Sequence, residues 1–278
     1  MEFPWRIYDE YELLENMEDL KLHVSRYIPN SKITRRICGY KCSNAFFQYE
    51  RYKCKRGDKN ITGYEYWFAY YDKVFEHCNN PNFKHKDYFG IISYFQRVPS
   101  QFSPYISACI YKNFNAKKVL DPYAGWGDRA VGAMALDIEY IGIDSNPKLQ
   151  KCYNNMFKLF TNKCTFINEK SEYIISELVD EYNPDLVFTS PPFWDESDIM
   201  IECYNNADSD YKSFLNLSLF PLVELCIERK IPLCMYVNNK MNDDICREFD
   251  ITSTRINTTK YDFIGNKRSL SDIYRYVY

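Results

Sequence analysis

From residue 118 onward, short apolar runs alternate with amphipathic stretches, and no other feature of the chain constrains its fold as tightly. Val119-Leu120 opens a strand, and residues 127–137 read as a helix. Tyr140–Asp144 is a second strand, followed by a helix from Pro147 to about Phe160. Thr165–Ile167 is a weak third strand, Glu172–Val179 a helix, and Asp185–Phe188 a fourth strand. A long helix covers about 209–229, Pro232–Val237 is a fifth strand, and 251–258 and 272–278 alternate as two more. Strand and helix in strict turn predict an α/β fold, a mostly parallel Rossmann-like sheet with helices on both faces. The closing strand pair predicts an antiparallel C-terminal edge.

The first third of the chain lacks that rhythm. Residues 1–30 read as one or two short amphipathic helices, 31–65 as a basic and aromatic stretch broken by Gly39, Gly57 and Gly63, and 64–78 as a helix before the Asn79-Asn80-Pro81 loop. A boundary between about 90 and 100 divides a small, mostly helical accessory region, 1–96, from an α/β domain, 97–278. With a formal net charge of −3, no global positive field draws in nucleic acid. Locally, though, residues 32–59 hold nine bases against Glu50 and Asp58. Arg51, Lys53, Lys55 and Arg56 of this stretch are candidate phosphate contacts; a solvated surface face explains the same charges equally well. The 11 Cys, without a tight repeat, point to free thiols in an intracellular, reducing compartment. No secretory signal and no membrane-length apolar stretch are legible, so a soluble protein without a membrane partner is expected. Cys38, Cys42, Cys54, His77 and Cys78 could supply zinc ligands, but their irregular spacing favours buried thiols, and no metal is expected.

Chemistry concentrates at the strand ends. After the first strand comes Asp121-Pro122-Tyr123-Ala124-Gly125-Trp126-Gly127-Asp128-Arg129. Gly125 and Gly127 permit positive φ and let a ligand press on bare backbone. The second strand ends in Asp144, where an acid can accept hydrogen bonds from both hydroxyls of a ribose. A nicotinamide enzyme would carry a third glycine where Ala130 stands, and Asp121 suits a ligand with an α-amino group. Asp121, Gly125, Gly127 and Asp144 therefore fit S-adenosylmethionine better than a dinucleotide. Tyr123 and Ser145 complete the candidate cofactor set together with Asn168, which reads equally as a helix-start cap. Arg129 reads as a loop anchor. The fourth strand runs into Thr189-Ser190-Pro191-Pro192-Phe193-Trp194, where two prolines end the ladder and fix an extended path at the carboxyl edge of the sheet.

These motifs, DPYAGWGDR, GIDSNP and SPPF in that order, resemble the S-adenosylmethionine-dependent amino-methyltransferases that act on exocyclic amines, whose hallmark is Asp/Asn/Ser-Pro-Pro-aromatic. Arg97-Val98-Pro99 with Phe102-Ser103-Pro104 is similar to the element that precedes the family's cofactor strand. The resemblance covers about residues 97–278 and implies a methyltransferase-type sheet. It also implies catalytic roles for Ser190, Pro191, Pro192 and Phe193: the Ser190 side chain and Pro191 carbonyl accept hydrogen bonds from a base amine while Phe193 stacks on the extruded base. Trp194 becomes a second stacking surface or a lid, and Arg97 a substrate contact. Asp195 and Glu196 either steer substrate or are simply solvated. Serine in place of an acid or amide, and Trp126 in place of a small residue, leave adenine or cytosine open. DNA is the first implied partner; an RNA base, a protein glutamine, or a non-catalytic role with the fold retained are the alternatives.

Overall fold

The computed structural model describes residues 2–55, 61–80, 87–96, 98–194, 200–202, 210–258 and 271–278. Six helices precede the first strand among them. Asp9 opens α1 (Glu10–Ser25) with a reciprocal capping box to Glu12, and Leu13, Met17, Leu20 and Val24 bury one face. Gly39, at φ +81°, starts α2 (Tyr40–Tyr52). A Cβ there would lie 2.8 Å from Leu20 and 2.9 Å from Pro104, so only glycine lets these segments cross. A second capping box, Thr62 with Glu65, opens α3 (Gly63–Ala69). Tyr70 leaves helical geometry before α4 (Tyr71–Asn79), so the helix predicted over 64–78 is two. Next come α5 (Tyr88–Gln96) and α6 (Pro104–Asn113), the latter capped by Ser103 with Pro104 in its first turn.

The alternating half follows as β1 (Lys118–Asp121), α7 (Asp128–Ala135), β2 (Glu139–Ile143), α8 (Leu149–Phe160), β3 (Cys164–Ile167), α9 (Ser171–Tyr182) and β4 (Leu186–Thr189). A short antiparallel pair, β5 (Phe193–Trp194) with β6 (Met200–Glu202), stands apart from the main sheet. The long helix expected near 209–229 is α10 (Tyr211–Phe214), a π-helical turn over Leu215–Leu219 and α11 (Phe220–Arg229). Then come β7 (Leu233–Asn238), α12 (Asn239–Phe249), β8 (Thr252–Arg255) and β9 (Ser271–Val277).

The main sheet has seven strands in the order β3-β2-β1-β4-β7-β9-β8, parallel except for β9, which runs antiparallel to β7 and β8. This is the Rossmann-like sheet with an antiparallel C-terminal edge that the alternation predicts. The strand order reverses between β1 and β4, so a crevice opens beyond their carboxyl ends.

Both faces are covered. On one, Leu20, Val24, Ile33 and Phe47 share a continuous core with Ile106, Val119, Tyr140 and Phe188. On the other, Leu120, Ile141 and Val187 pack on Ile175, Leu219, Val223 and Ile245. Residues of α1 and α2 are thus part of the sheet's cover. Only α3–α5 form their own aromatic cluster, around Trp67, Phe89, Ile91 and Ile92, joined by Phe3 and Tyr52. Among the described residues no helix is long and apolar enough to cross a membrane.

Candidate active site

The loop after β1 is held by a buried ion pair. Arg129 donates from Nε to Asp121 Oδ2 at 2.7 Å and from a terminal nitrogen to Asp121 Oδ1 at 3.2 Å and to the Tyr123 carbonyl. The same carboxylate accepts from the Tyr140 hydroxyl at 2.6 Å and the Thr189 hydroxyl at 2.7 Å. Asp121 is fully buried, and four protein hydrogen bonds fill its acceptor positions. The sequence reading gives it a ligand amine to meet; in the structure it serves Arg129, which anchors the loop as the sequence suggests. From beneath, the Tyr153 hydroxyl donates to the Ala124 and Gly125 carbonyls at 3.0 and 3.1 Å.

The two glycines differ. Gly125 has φ +60°, and a Cβ there would meet only the Tyr123 carbonyl, at 3.9 Å, so bare backbone faces open space. At Gly127, φ +78°, a Cβ would sit 2.5 Å from the Phe47 ring and 3.2 Å from Met156. Gly127 thus admits a side chain of α2 rather than a ligand. Asp144, half-buried at the end of β2, accepts from the Gly125 amide (Oδ2, 3.0 Å) and the Asn146 amide (Oδ1, 3.0 Å). Each oxygen keeps a second acceptor position, which vicinal hydroxyls can fill. Burial pushes the Asp144 carboxyl up from the usual range against those two amides. Asn168 donates to the Asp144 carbonyl at 2.8 Å, fixing that strand end, and Ser145 beside it is exposed. The Tyr123 hydroxyl lies 2.7 Å from Ser218 Oγ in the π-helical turn, and burial raises the phenol to about 12.

Thr189 ties this loop to the turn after β4. Its hydroxyl donates to Asp121 and accepts from the Tyr123 amide at 3.0 Å, so the residue before Ser190 is hydrogen-bonded to the loop after β1 twice. Ser190, Pro192 and Phe193 are half-buried and Pro191 is buried. The Phe193 ring meets Tyr236 edge-on at 5.3 Å, and Tyr236 in turn meets Phe102 at 5.5 Å. Trp194 is no outer stacking surface. It is 3% exposed and packs on Tyr211 and Phe214, and its carbonyl accepts from the Asn238 side chain. Tandem prolines turn the chain so that Phe193 borders the edge while Trp194 drops into the core, which explains the difference between neighbouring aromatics.

Of the basic candidates, Arg51 is buried and donates to the Pro99 carbonyl and Asn44 Oδ1, each at 3.0 Å. It holds α2 to the segment before α6 and is not presented to a phosphate, contrary to the sequence reading. Lys53 and Lys55 are exposed, the former lying over the Tyr64 ring. Arg56, Arg97, Asp195 and Glu196 lie outside the described residues. Cys38, Cys42 and Cys54 are buried thiols, Cys42 donating to the Leu13 carbonyl at 3.4 Å.

Several residues that fix these loops have partners that the sequence does not disclose. Asp128, buried at the start of α7, accepts from Ser43 of α2 at 2.5 Å and from Gln101 at 3.2 Å, and burial raises its carboxyl to about 7. Tyr140, Tyr153, Thr189 and Tyr236 likewise carry the loop geometry. In the sequence each is one tyrosine or threonine among many, and only the register reveals its partner.

No protein-family model matches the sequence, and no curated relative matches it. Among solved structures, the chain is similar to a SAM-dependent methyltransferase from Agrobacterium tumefaciens, at 13% identity and TM-score 0.42, over 62% of this chain and 59% of the other. It is also similar to DNMT2 from Spodoptera frugiperda (16%, 0.37; 57% of this chain, 49% of the other). A SAM-dependent methyltransferase from Neisseria gonorrhoeae gives 11% and 0.35 over 60% of this chain and 64% of the other. The chain thus spans between half and two thirds of these proteins' length. The fold rests on the strand order described above.

Proposed function

We propose that this protein transfers a methyl group from S-adenosylmethionine to the exocyclic amine of cytosine or adenine in DNA. The observation that carries the reading is a juxtaposition at the switch point. The open backbone at Gly125 follows β1, the half-filled carboxylate of Asp144 ends the neighbouring β2, and Ser190-Pro191-Pro192-Phe193 follows β4 on the other side of β1. Thr189 joins the β1 and β4 ends.

Gly125, Asp144, Ser145 and the Tyr123 segment would hold the cofactor, whose sulfonium supplies an electrophilic methyl group when bound. Asp121 fits as a support for that loop, since its acceptor positions are taken. A base amine is a weak nucleophile because its lone pair is delocalised into the ring. The Ser190 hydroxyl and the Pro191 carbonyl accept hydrogen bonds from its N–H groups, turning the lone pair toward the cofactor side. Phe193, braced edge-on by Tyr236, offers a π-face on which the base stacks. Positioning supplies most of the rate enhancement in this scheme: the sulfonium would leave as S-adenosylhomocysteine, the methylated amine becomes acidic and loses one N–H proton to solvent, and no residue has to act as a general base of shifted pKa.

Ser190→Ala tests the roles directly: turnover falls while cofactor affinity stays at the wild-type value. A variant with unchanged turnover would remove Ser190, and the amine-acceptor scheme with it, from the reaction.

A further inference from the structure

The proposed DNA reading requires a phosphate-binding surface, and Arg51, the basic candidate nearest the core, is buried in protein contacts. A different stretch is better built for the role. Residues 26–39, between α1 and α2, contain Arg26, Lys32, Arg35 and Arg36 and no acid. All four bases are exposed.

The stretch is also tightly anchored. Lys112 Nζ donates to the Val24 and Tyr27 carbonyls at 2.9 Å each, and Asn113 accepts from the Tyr27 hydroxyl and the Asn30 amide. The Ile33 amide donates to the Asn257 carbonyl at 2.9 Å, just past β8, and the Ile33 side chain is fully buried. Gly39 ends the stretch against Pro104. Asn113 closes α6, at the amino edge of the sheet. Asn257 and Pro104 lie toward the carboxyl edge. The strip therefore climbs one flank of the molecule to the catalytic edge, and Arg35 approaches Tyr40, itself beside Ser103. From there Phe102 leads through Tyr236 to Phe193. Asp19, an acid of α1, faces His23 at 3.4 Å.

We infer that the strip Arg26–Gly39 is the surface along which the DNA sugar–phosphate backbone lies while a base occupies the Phe193 site; this rests on the DNA reading above. Arg35 and Arg36 also lie against the Tyr40 and Tyr105 hydroxyls while staying exposed, and a fixed backbone with exposed bases suits a polyanion, because anchoring reduces what binding must order. Contacts of this kind give affinity and orientation rather than sequence choice.

The test is binding of a fluorescent DNA duplex to the full chain across a salt series. The triple variant Lys32→Gln/Arg35→Gln/Arg36→Gln should bind at least about tenfold more weakly, with its log-affinity salt slope shallower by about 2.7, at about 0.9 for each phosphate that is no longer neutralised. Lys53→Gln/Lys55→Gln should match wild type. If the triple variant melts below wild type, Arg26→Gln/Lys32→Gln replaces it, with a slope change of about 1.8. Wild-type binding by the strip variants, or weakening confined to Lys53→Gln/Lys55→Gln, overturns the strip and leaves the DNA reading standing. A wild-type chain without salt-dependent DNA binding overturns both.

Discussion

The loop after β1 is held by charge and hydrogen bonds: Arg129, Tyr140 and Thr189 all converge on the buried Asp121, and Tyr153 supports the carbonyls above. The turn after β4 is held differently. Two prolines set its path, Phe193 leans on Tyr236, and Trp194 is pinned in the core with one hydrogen bond from Asn238 to its carbonyl. The two stand side by side at the carboxyl edge of the same sheet, so the difference is not one of location. A loop that must present bare backbone has no side chain of its own to fix it and depends on its neighbours. The turn after β4 is instead fixed by its two proline rings and by aromatic packing.

That contrast makes stability the vulnerable property of one region and turnover that of the other. The largest effect is expected from Arg129→Ala, which strands the buried Asp121 carboxylate and should cost about 3–5 kcal/mol in urea unfolding. Phe193→Ala should cost clearly less, and equal losses would erase the distinction. Gly127→Ala comes next. Its Cβ would press into the Phe47 ring, so overpacking of about 1–3 kcal/mol adds to about 1–2 kcal/mol of left-handed strain. Gly125→Ala carries the strain alone, and on the proposed reading it should weaken cofactor binding, because the methyl group enters the open space beside the loop. Calorimetric melting and cofactor titration of the pair should rank the two in opposite orders.

In the turn, Phe193→Ala removes stacking of about 1–3 kcal/mol per base and should lower kcat/KM about tenfold to a hundredfold. A fall of less than twofold would detach the ring from the substrate. Thr189→Val sharpens the boundary between the regions. Losing both hydroxyl bonds should cost about 1–2 kcal/mol and reduce turnover, with Thr189→Ser restoring both. A valine variant as active as wild type would show that the two regions work independently.

A separate effect concerns pH. In the folded chain the Asp128 carboxyl sits near 7, above the ordinary value of about 3.9, so the native state holds its proton more tightly. Its contribution to stability is complete below about pH 4 and is lost as the pH rises through 7. Asp128→Asn should flatten the fall in unfolding free energy across that window. An unchanged profile would place the titration elsewhere.

The sheet is legible because a parallel βα alternation writes its period into the sequence. That Asp144, Ser190 and Phe193 fall at the carboxyl ends of strands is legible, because strand ends with glycine, acid or proline pairs are locally unusual. What escapes depends on distance along the chain. Asp121 and Gly127 read as ligand positions, but Tyr140, Thr189 and Phe47, 19, 68 and 80 residues away, take up their space. Arg51 looks like surface charge, and only the return of residue 99 beside α2 buries it. The helix α12 escapes because its buried residues, Met241, Asn242 and Ile245, are few and partly polar.

The most direct test is incubation of the protein with methyl-labelled S-adenosylmethionine and unmethylated DNA, with total RNA in parallel, followed by nucleoside mass spectrometry. Label on the exocyclic amine of cytosine or adenine in DNA is the predicted result. Label absent from DNA, or found on a ring carbon, would contradict the role assigned to Ser190, Pro191 and Phe193.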